Sequence, residues 1–184
     1  MFLASSYFRK TLTKVASLLI LETFAMDQMG GTEKFMQAIS VSICVVNFLL
    51  TTRRILKAIE LCKESVIVLN NEAVRKARQG VLIFLYEAVY MQMFRGFMLI
   101  GDHTSAIECG TKLLVLFRDW GAKTREVMIS LKLSRLYQRQ SQYEKAKELC
   151  MNALGITIET GDKSGKGLCC AELGNVFKDR KSVV

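Results

Sequence analysis

Proline is absent from all 184 residues of the chain, and histidine and tryptophan each occur once. Because proline is the residue that most strongly interrupts a helix, its absence leaves long helices possible throughout. Charged residues make up 23% of the chain, which argues against a disordered tail and against a multi-span membrane protein. We therefore expect a mostly helical, soluble chain with a well-packed core.

The shortage of histidine also limits catalysis and metal binding. With His103 as the single imidazole and no C-x-x-C spacing among the six cysteines, a two-Cys, two-His zinc site cannot form. Asp102 before His103 is explained by helix capping, since no nucleophile lies at a recognisable spacing. We expect no enzyme activity, no metal and no cofactor. The cysteines are expected to be reduced packing residues, which predicts a cytoplasmic protein.

Acidic side chains are in the minority. The net charge of +9 is distributed as +1 over residues 1–50, +3 over 51–122 and +5 over 123–184. Such an excess favours acidic partners. The sequence contains no concentrated basic stripe with interleaved aromatic residues or glycines, so we expect no nucleic-acid partner.

Apolar runs are short. The run at residues 38–50 is too short to cross a bilayer, and it predicts a buried helix or strand rather than a transmembrane span. Residues 1–50 are expected to be helical, and two interpretations of their role stay open. They form an N-terminal cap that packs on the rest of the chain, or they include a targeting segment of the mitochondrial type, since the start is basic and rich in hydroxyl groups.

From residue 53 onward, apolar residues recur at three- and four-residue steps, which indicates helices. The pattern predicts one long helix or a gently kinked pair of helices over 72–100. It also predicts turns near Gly101, Gly121, Ser141 and at 161–167, where the glycine-rich segment lacks the spacing of a phosphate loop. The later helices match one another with a 40-residue period, which indicates a solenoid of stacked hairpins. The matched pairs include Ala106 and Ala146, Leu133 and Leu173, Ser134 and Gly174, and Tyr137 and Phe177.

The segment 123–162 resembles a tetratricopeptide repeat in its order of small and aromatic residues. Its 40-residue length is similar to that of Pins-type G-protein signalling modulators and of arrays like tetratricopeptide repeat protein 28. The resemblance implies an all-α, antiparallel helix-hairpin solenoid forming a right-handed superhelix. In it, residues 51–122 are diverged repeat helices and 123–162 the best-matching unit. Residues 163–184 would be the first helix of an incomplete unit, truncated at the C-terminal end, with a face available for self-association. The implied packing residues are Gly101, Ala106, Leu133, Ser134, Tyr137, Tyr143, Ala146, Ala153, Leu173, Gly174 and Phe177.

The resemblance also implies a function in protein–protein interaction. The first helices of such hairpins line a concave groove, where Arg135 and Arg139 would grip an acidic or C-terminal carboxylate of a peptide or helix. A solvated helix face is the alternative interpretation of these side chains. The alternative function is a regulatory adaptor in G-protein signalling or spindle orientation. The candidate groove residues are Arg95, Lys132, Arg135, Gln138, Arg139, Asn175 and Lys178.

Overall fold

The computed structural model describes residues 31–70 and 79–181, and every regular element in these ranges is an α-helix. The expected all-α class is confirmed. The open interpretations of the first fifty residues fall largely outside the described residues, as does the start of the long helix expected from residue 72. The helices are α1 (Gly31–Thr51), α2 (Ile55–Leu69), α3 (Gln79–Ile100), α4 (His103–Asp119), α5 (Lys123–Arg139), α6 (Tyr143–Glu159) and α7 (Lys163–Lys181).

The chain divides into two compact units. The N-terminal unit, Met1–Asp102, contains α1, α2 and α3, and the C-terminal unit, His103–Val184, contains α4 to α7. In the N-terminal unit each of the three helices packs on the other two. At Gly96 a side-chain Cβ would come within 2.8 Å of Ile59 Cγ1, so this glycine lets α3 approach α2 closely. The run at 38–50 is helical, and the strand alternative is wrong.

Helix α3 is the most apolar element of the described chain. Its segment Leu82–Ile100 has a mean hydropathy of 1.2, and its length and composition would allow it to cross a membrane. One third of this segment is buried within the molecule. Because core helices of soluble proteins pass the same test, this single helix does not show a transmembrane span.

Left-handed residues end four helices at a constant spacing. Gly101, Gly121, Ser141 and Gly161 have φ between 57° and 76°, and each lies half of the 40-residue period after the one before. In each case the next residue donates its N–H to a carbonyl five positions earlier, as in the bond from Gln142 to Tyr137 of 2.8 Å. This pattern closes a helix by satisfying carbonyls of its last turn. One helix with its turn therefore fills half of the period, and one hairpin fills all of it.

The turn expected over 161–167 is shorter in the structure, and this expectation is wrong. Helix α7 already begins at Lys163, since Asp162 Oδ1 accepts a hydrogen bond of 2.9 Å from the Gly165 N–H and caps the first turn. At Gly165 a Cβ would collide with the Asp162 carboxylate and come within 2.8 Å of Thr157 Cγ2. This glycine is therefore part of the close contact between the end of α6 and the start of α7.

The C-terminal unit is held by a core that α5, α6 and α7 share. Small residues of α6 lie at its centre, and the Cys150 thiol donates a hydrogen bond of 3.0 Å to Ser134 Oγ on α5. Small side chains allow two helix axes to approach closely. The buried members of this core are Val127, Leu131, Ala146, Cys150, Ala153, Cys169, Leu173 and Val176.

The structure places the implied packing residues in two environments. Tyr137 and Tyr143 pack against the shared core and are partly buried. Three residues lie on the surface instead: Gly101, Gly174 and Phe177. At Gly101 the positive φ favours glycine. Gly174 is exposed, and Phe177 is partly covered by Lys147 of α6, whose Nζ lies 5.8 Å from the centre of its ring. The buried members are Ala106, Leu133, Ser134, Ala146, Ala153 and Leu173.

Candidate functional site

Helices α5 and α7 border an open cavity of about 420 Å³ on one side of the C-terminal unit. The side chains of α5 that face it are spaced three and four residues apart, which places them on one side of that helix. The 40-residue period then places equivalent positions of α7 opposite them. The lining residues are Arg135, Gln138, Arg139, Glu172, Asn175, Lys178 and Asp179. We call this cavity the α5–α7 groove.

Two of the predicted groove residues lie elsewhere. Arg95 belongs to α3 in the N-terminal unit, where its Nη1 donates to Asn47 Oδ1 at 3.4 Å. Lys132 is half-buried on α5 and does not line the cavity. The other five candidates, from Arg135 to Lys178, line the α5–α7 groove together with two carboxylates.

Glu172 forms the floor of the α5–α7 groove. Its side chain is 3% exposed, and its carboxylate accepts hydrogen bonds from Arg135 Nε at 2.9 Å and from Gln138 Nε2 at 2.7 Å. Arg135 therefore uses its Nε within the protein, and its part in binding a ligand stays a prediction. Arg135 and Gln138 tie α7 to α5, because a buried carboxylate needs charge compensation and hydrogen bonds.

Glu172 and Asp179 are not among the groove residues expected from the sequence, although the repeat contains a signal for both. Shifted by the 40-residue period, Glu172 aligns with Lys132, and Asp179 aligns with Arg139. At both positions a basic residue of one repeat is replaced by an acidic residue of the next. At the first of these positions, Glu172 of α7 pairs with Arg135 of the facing helix α5.

Cations at the mouth of the α5–α7 groove come from both walls. Arg139 and Lys178 are exposed, and no ion pair engages either of them within the part of the chain that the structure describes. Asn175 adds an exposed amide from α7. Within 31–70 and 79–181, no group of three or more His, Cys, Asp or Glu side chains could hold a metal ion. The groove thus offers donors for an anionic group rather than ligands for a cation.

Comparison with known proteins supports the repeat at the level of the fold. No protein-family model matches the chain, and no curated protein matches it. Solved structures do match: a signal-transduction ATPase with a tetratricopeptide repeat sensor from Pyrococcus horikoshii gives a TM-score of 0.68 at 17% identity. The alignment covers 95% of this chain and 28% of the ATPase, so the chain spans little more than a quarter of that protein.

A second structural match contains repeats alone. It is a Podosopora anserina protein with nearly identical TPR-like repeats, named for a kinesin light chain, with a TM-score of 0.61 at 15% identity. The alignment covers 94% of this chain and 86% of that chain. The fold is that of tetratricopeptide-type repeats. Because the identities are low, these matches show the helix-hairpin solenoid fold and leave the Pins-type subclass and the hand of the superhelix as predictions.

Two buried thiols lie in the core shared by the helices of the α5–α7 groove. Cys150 and Cys169 are fully buried, and burial is the main cause that raises the pKa of each above the ordinary value of 9.0. At Cys150 the hydrogen bond to Ser134 acts in the opposite direction and offsets part of this rise in the pKa. Cys170 is exposed although it is adjacent to Cys169, because successive helix residues point to different sides.

The raised pKa values predict a loss of stability at alkaline pH. Above pH 9.0 an unfolded thiol loses its proton while the folded Cys150 and Cys169 keep theirs, so the folded state binds more protons and the free energy of unfolding falls as the pH rises. Below pH 9.0 this contribution is fully present. Urea unfolding on both sides of pH 9.0 measures the slope of the free energy of unfolding against pH, which should be shallower in Cys150→Ala than in the wild type. An unchanged slope in Cys150→Ala would contradict the prediction.

Proposed function

We propose that the chain is a non-catalytic scaffold for protein–protein interaction that binds an acidic segment of a partner in the α5–α7 groove. The observation that carries the proposal is the pair of exposed cations, Arg139 and Lys178, at the mouth of a cavity between two repeat helices. The tetratricopeptide-type fold supports a scaffold, and the basic excess of the C-terminal unit supports an acidic partner. No cofactor enters this proposal.

The arrangement of charges favours an anionic ligand at the mouth of the groove rather than at its floor. Glu172 compensates Arg135, whereas Arg139 and Lys178 project from opposite helices. A carboxylate between them would accept a charge-assisted hydrogen bond from each side, which is stronger than a bond between neutral groups. Arg139 can bind such a carboxylate through two parallel N–H groups, which fixes its orientation.

The walls of the groove are held by a shared core and by hydrogen bonds, which should reduce the entropic cost of binding. Helices α5 and α7 share one buried core with α6, and the bonds from Arg135 and Gln138 to Glu172 hold the floor. Binding groups that are held in place before the ligand arrives lose little conformational freedom on binding. We infer that the partner segment orders itself on a preformed surface.

Charge reversal at the mouth tests this proposal. In Arg139→Glu with Lys178→Glu, the affinity for a fluorescein-labelled Glu/Ala peptide should fall by about tenfold or more, because each lost charge-assisted bond contributes about 1 kcal/mol or more. Fluorescence anisotropy at low and high ionic strength measures the affinity. The wild-type affinity should itself fall as salt is added. An amidated peptide, compared with one that has a free C-terminus, shows whether the terminal carboxylate is the group bound.

A matched control separates the groove from general electrostatics. Lys123→Glu with Lys166→Glu makes the same change in net charge at exposed residues that do not line the groove. This control should keep an affinity within about twofold of the wild type, since long-range attraction is screened by salt. Equal losses in both double variants would show that the predicted groove residues are a solvated helix face, and would overturn the proposal.

A further inference from the structure

The outward side of α7 carries an unusual row of small residues. Gly167, Ala171 and Gly174 are spaced four and three residues apart, so they lie on one face, and all are exposed. Phe177 borders this face and is 44% exposed. We call these four residues the α7 face.

The equivalent face of the preceding repeat lies on α5, and another helix covers it. Shifted by one 40-residue period, the α7 face corresponds to Val127, Leu131, Ser134 and Tyr137 of α5. Val127, Leu131 and Ser134 are buried, and the first two share a core with Ala146, Cys150 and Ala153 of α6. This face of α5 therefore packs against the antiparallel helix α6, and Cys150 Sγ lies 3.0 Å from Ser134 Oγ in that interface.

The backbone conformation does not require glycine at either glycine position of the α7 face. Neither Gly167 nor Gly174 has a positive φ, and a Cβ at either position would meet nothing within 4 Å. Each glycine weakens the helix by about 1 kcal/mol relative to alanine. A helix packed on this face would explain both glycines, since they leave room for large side chains from the other helix.

Where α5 has Val, Leu and Ser, the α7 face has Gly, Ala and Gly. These smaller residues leave more space above α7 than above α5. The covering helix α6 presents the small residues Ala146, Cys150 and Ala153 at positions i, i+4 and i+7. To fill the larger space on α7, a docked helix needs bulky apolar residues at the same three positions.

The charges at the border of the α7 face decide between two occupants. Lys163 lies one turn before Gly167, and Lys147 of α6 lies with its Nζ 5.8 Å from the centre of the Phe177 ring. A second copy docked through the same face would bring these lysines towards their own equivalents, which costs free energy. An acidic helix would pair with them.

We propose that the α7 face docks an amphipathic helix of a partner protein, with bulky apolar residues at i, i+4 and i+7 and acidic residues beside them. The face repeats an interface that α5 and α6 already form, and its lysines determine the charge of the occupant. Lys178 of the α5–α7 groove lies one turn after Gly174, at the edge of the α7 face. The proposal for the α7 face does not depend on the function proposed for the groove.

The test uses the full chain and a synthetic peptide of the same length as α6, with leucine at i, i+4 and i+7 and glutamate beside them. Gly174→Leu fills the face, and Gly155→Leu is its matched control, because Gly155 is an exposed mid-helix glycine of α6 whose Cβ would also meet nothing within 4 Å. Both changes raise helix propensity by about 0.8 kcal/mol, so both variants should fold, which circular dichroism verifies. Titration calorimetry should show binding by the wild type and Gly155→Leu, and a loss of at least about tenfold in Gly174→Leu.

Three results would overturn the proposal. The first is equal peptide binding by Gly174→Leu and Gly155→Leu. The second is equal binding of a peptide in which lysine replaces the glutamates. The third comes from sedimentation of the protein alone: a wild-type dimer that becomes a monomer in Gly174→Leu would identify a second copy as the occupant. The groove peptide should bind Gly174→Leu normally, so failure of one site is distinguishable from failure of the other.

Discussion

Replacing Leu133 by alanine should lower the free energy of unfolding of the C-terminal unit by about 3 kcal/mol, within the range measured for buried leucines. Leu133 is 1% exposed and lies on α5, the helix that packs on α4, α6 and α7. Truncating it removes apolar contacts and leaves a cavity that helices fixed by several neighbours cannot close. This loss is a large fraction of the stability of a small unit.

The single tryptophan allows the stability of the C-terminal unit to be measured by fluorescence. Trp120 follows α4 within the C-terminal unit, so its fluorescence during urea unfolding reports on that unit rather than on α1 to α3. Leu168→Ala is the matched control: Leu168 is 56% exposed on α7, and its truncation should change stability by less than about 0.5 kcal/mol. If Leu133→Ala and Leu168→Ala lose equal stability, the core assigned to α5 is wrong.

The sequence predicts the helices and turns well because local chemistry determines them. Glycine tolerates positive φ, so Gly101, Gly121 and Gly161 indicate helix ends from the sequence alone. Ser141 adopts the same conformation without being glycine, and its position follows from the period instead. Helical periodicity and a constant repeat length together predict antiparallel hairpins, which the structure confirms.

The chemistry of the α5–α7 groove is harder to predict from the sequence, because partners on different helices depend on their relative register. Arg135 and Glu172 are 37 residues apart, and no local pattern joins them. The turn expected over 161–167 is wrong for a related reason: glycines there permit either a loop or a tight start of α7, and the bond from the Gly165 N–H to Asp162 selects the helix. Resemblance to a repeat identifies equivalent positions but not whether a neighbour covers them, which is why Gly174 and Phe177 lie on the surface and not in the expected core.

The two proposed sites assign different roles to two sides of α7. The side that carries Glu172 and Asn175 faces α5 and lines the groove, whereas the side that carries Ala171 and Gly174 faces outward. One helix can therefore contribute to an extended-peptide site and to a helix-docking site without sharing these side chains. Binding at the two sites should be independent if α7 stays rigid, since coupling requires an element with two arrangements.

The Arg135–Glu172 ion pair joins α7 to α5, and breaking that pair on one side should be destabilising. In Arg135→Met the buried Glu172 carboxylate keeps only the Gln138 amide as a donor among the bonds assigned to it. We expect a loss of about 2 kcal/mol, below the roughly 3–5 kcal/mol of a fully buried pair, because the Arg135 side chain is 59% exposed and water can partly replace it.

A double-mutant cycle separates the ion pair from ordinary packing. Arg135→Met with Glu172→Met removes both charges, so the double variant should recover most of the stability that Arg135→Met loses. Trp120 fluorescence in urea gives the four free energies of unfolding, those of the wild type, Arg135→Met, Glu172→Met and the double variant. Arg139→Met, which removes an exposed groove cation without breaking the pair, is the control and should change stability by no more than about 0.5 kcal/mol. Additive losses in the double variant would mean that Arg135 and Glu172 do not stabilise each other, and would contradict the prediction. Recovery would instead show that the charge at position 135 compensates Glu172, which leaves the cations at the mouth of the groove for a partner.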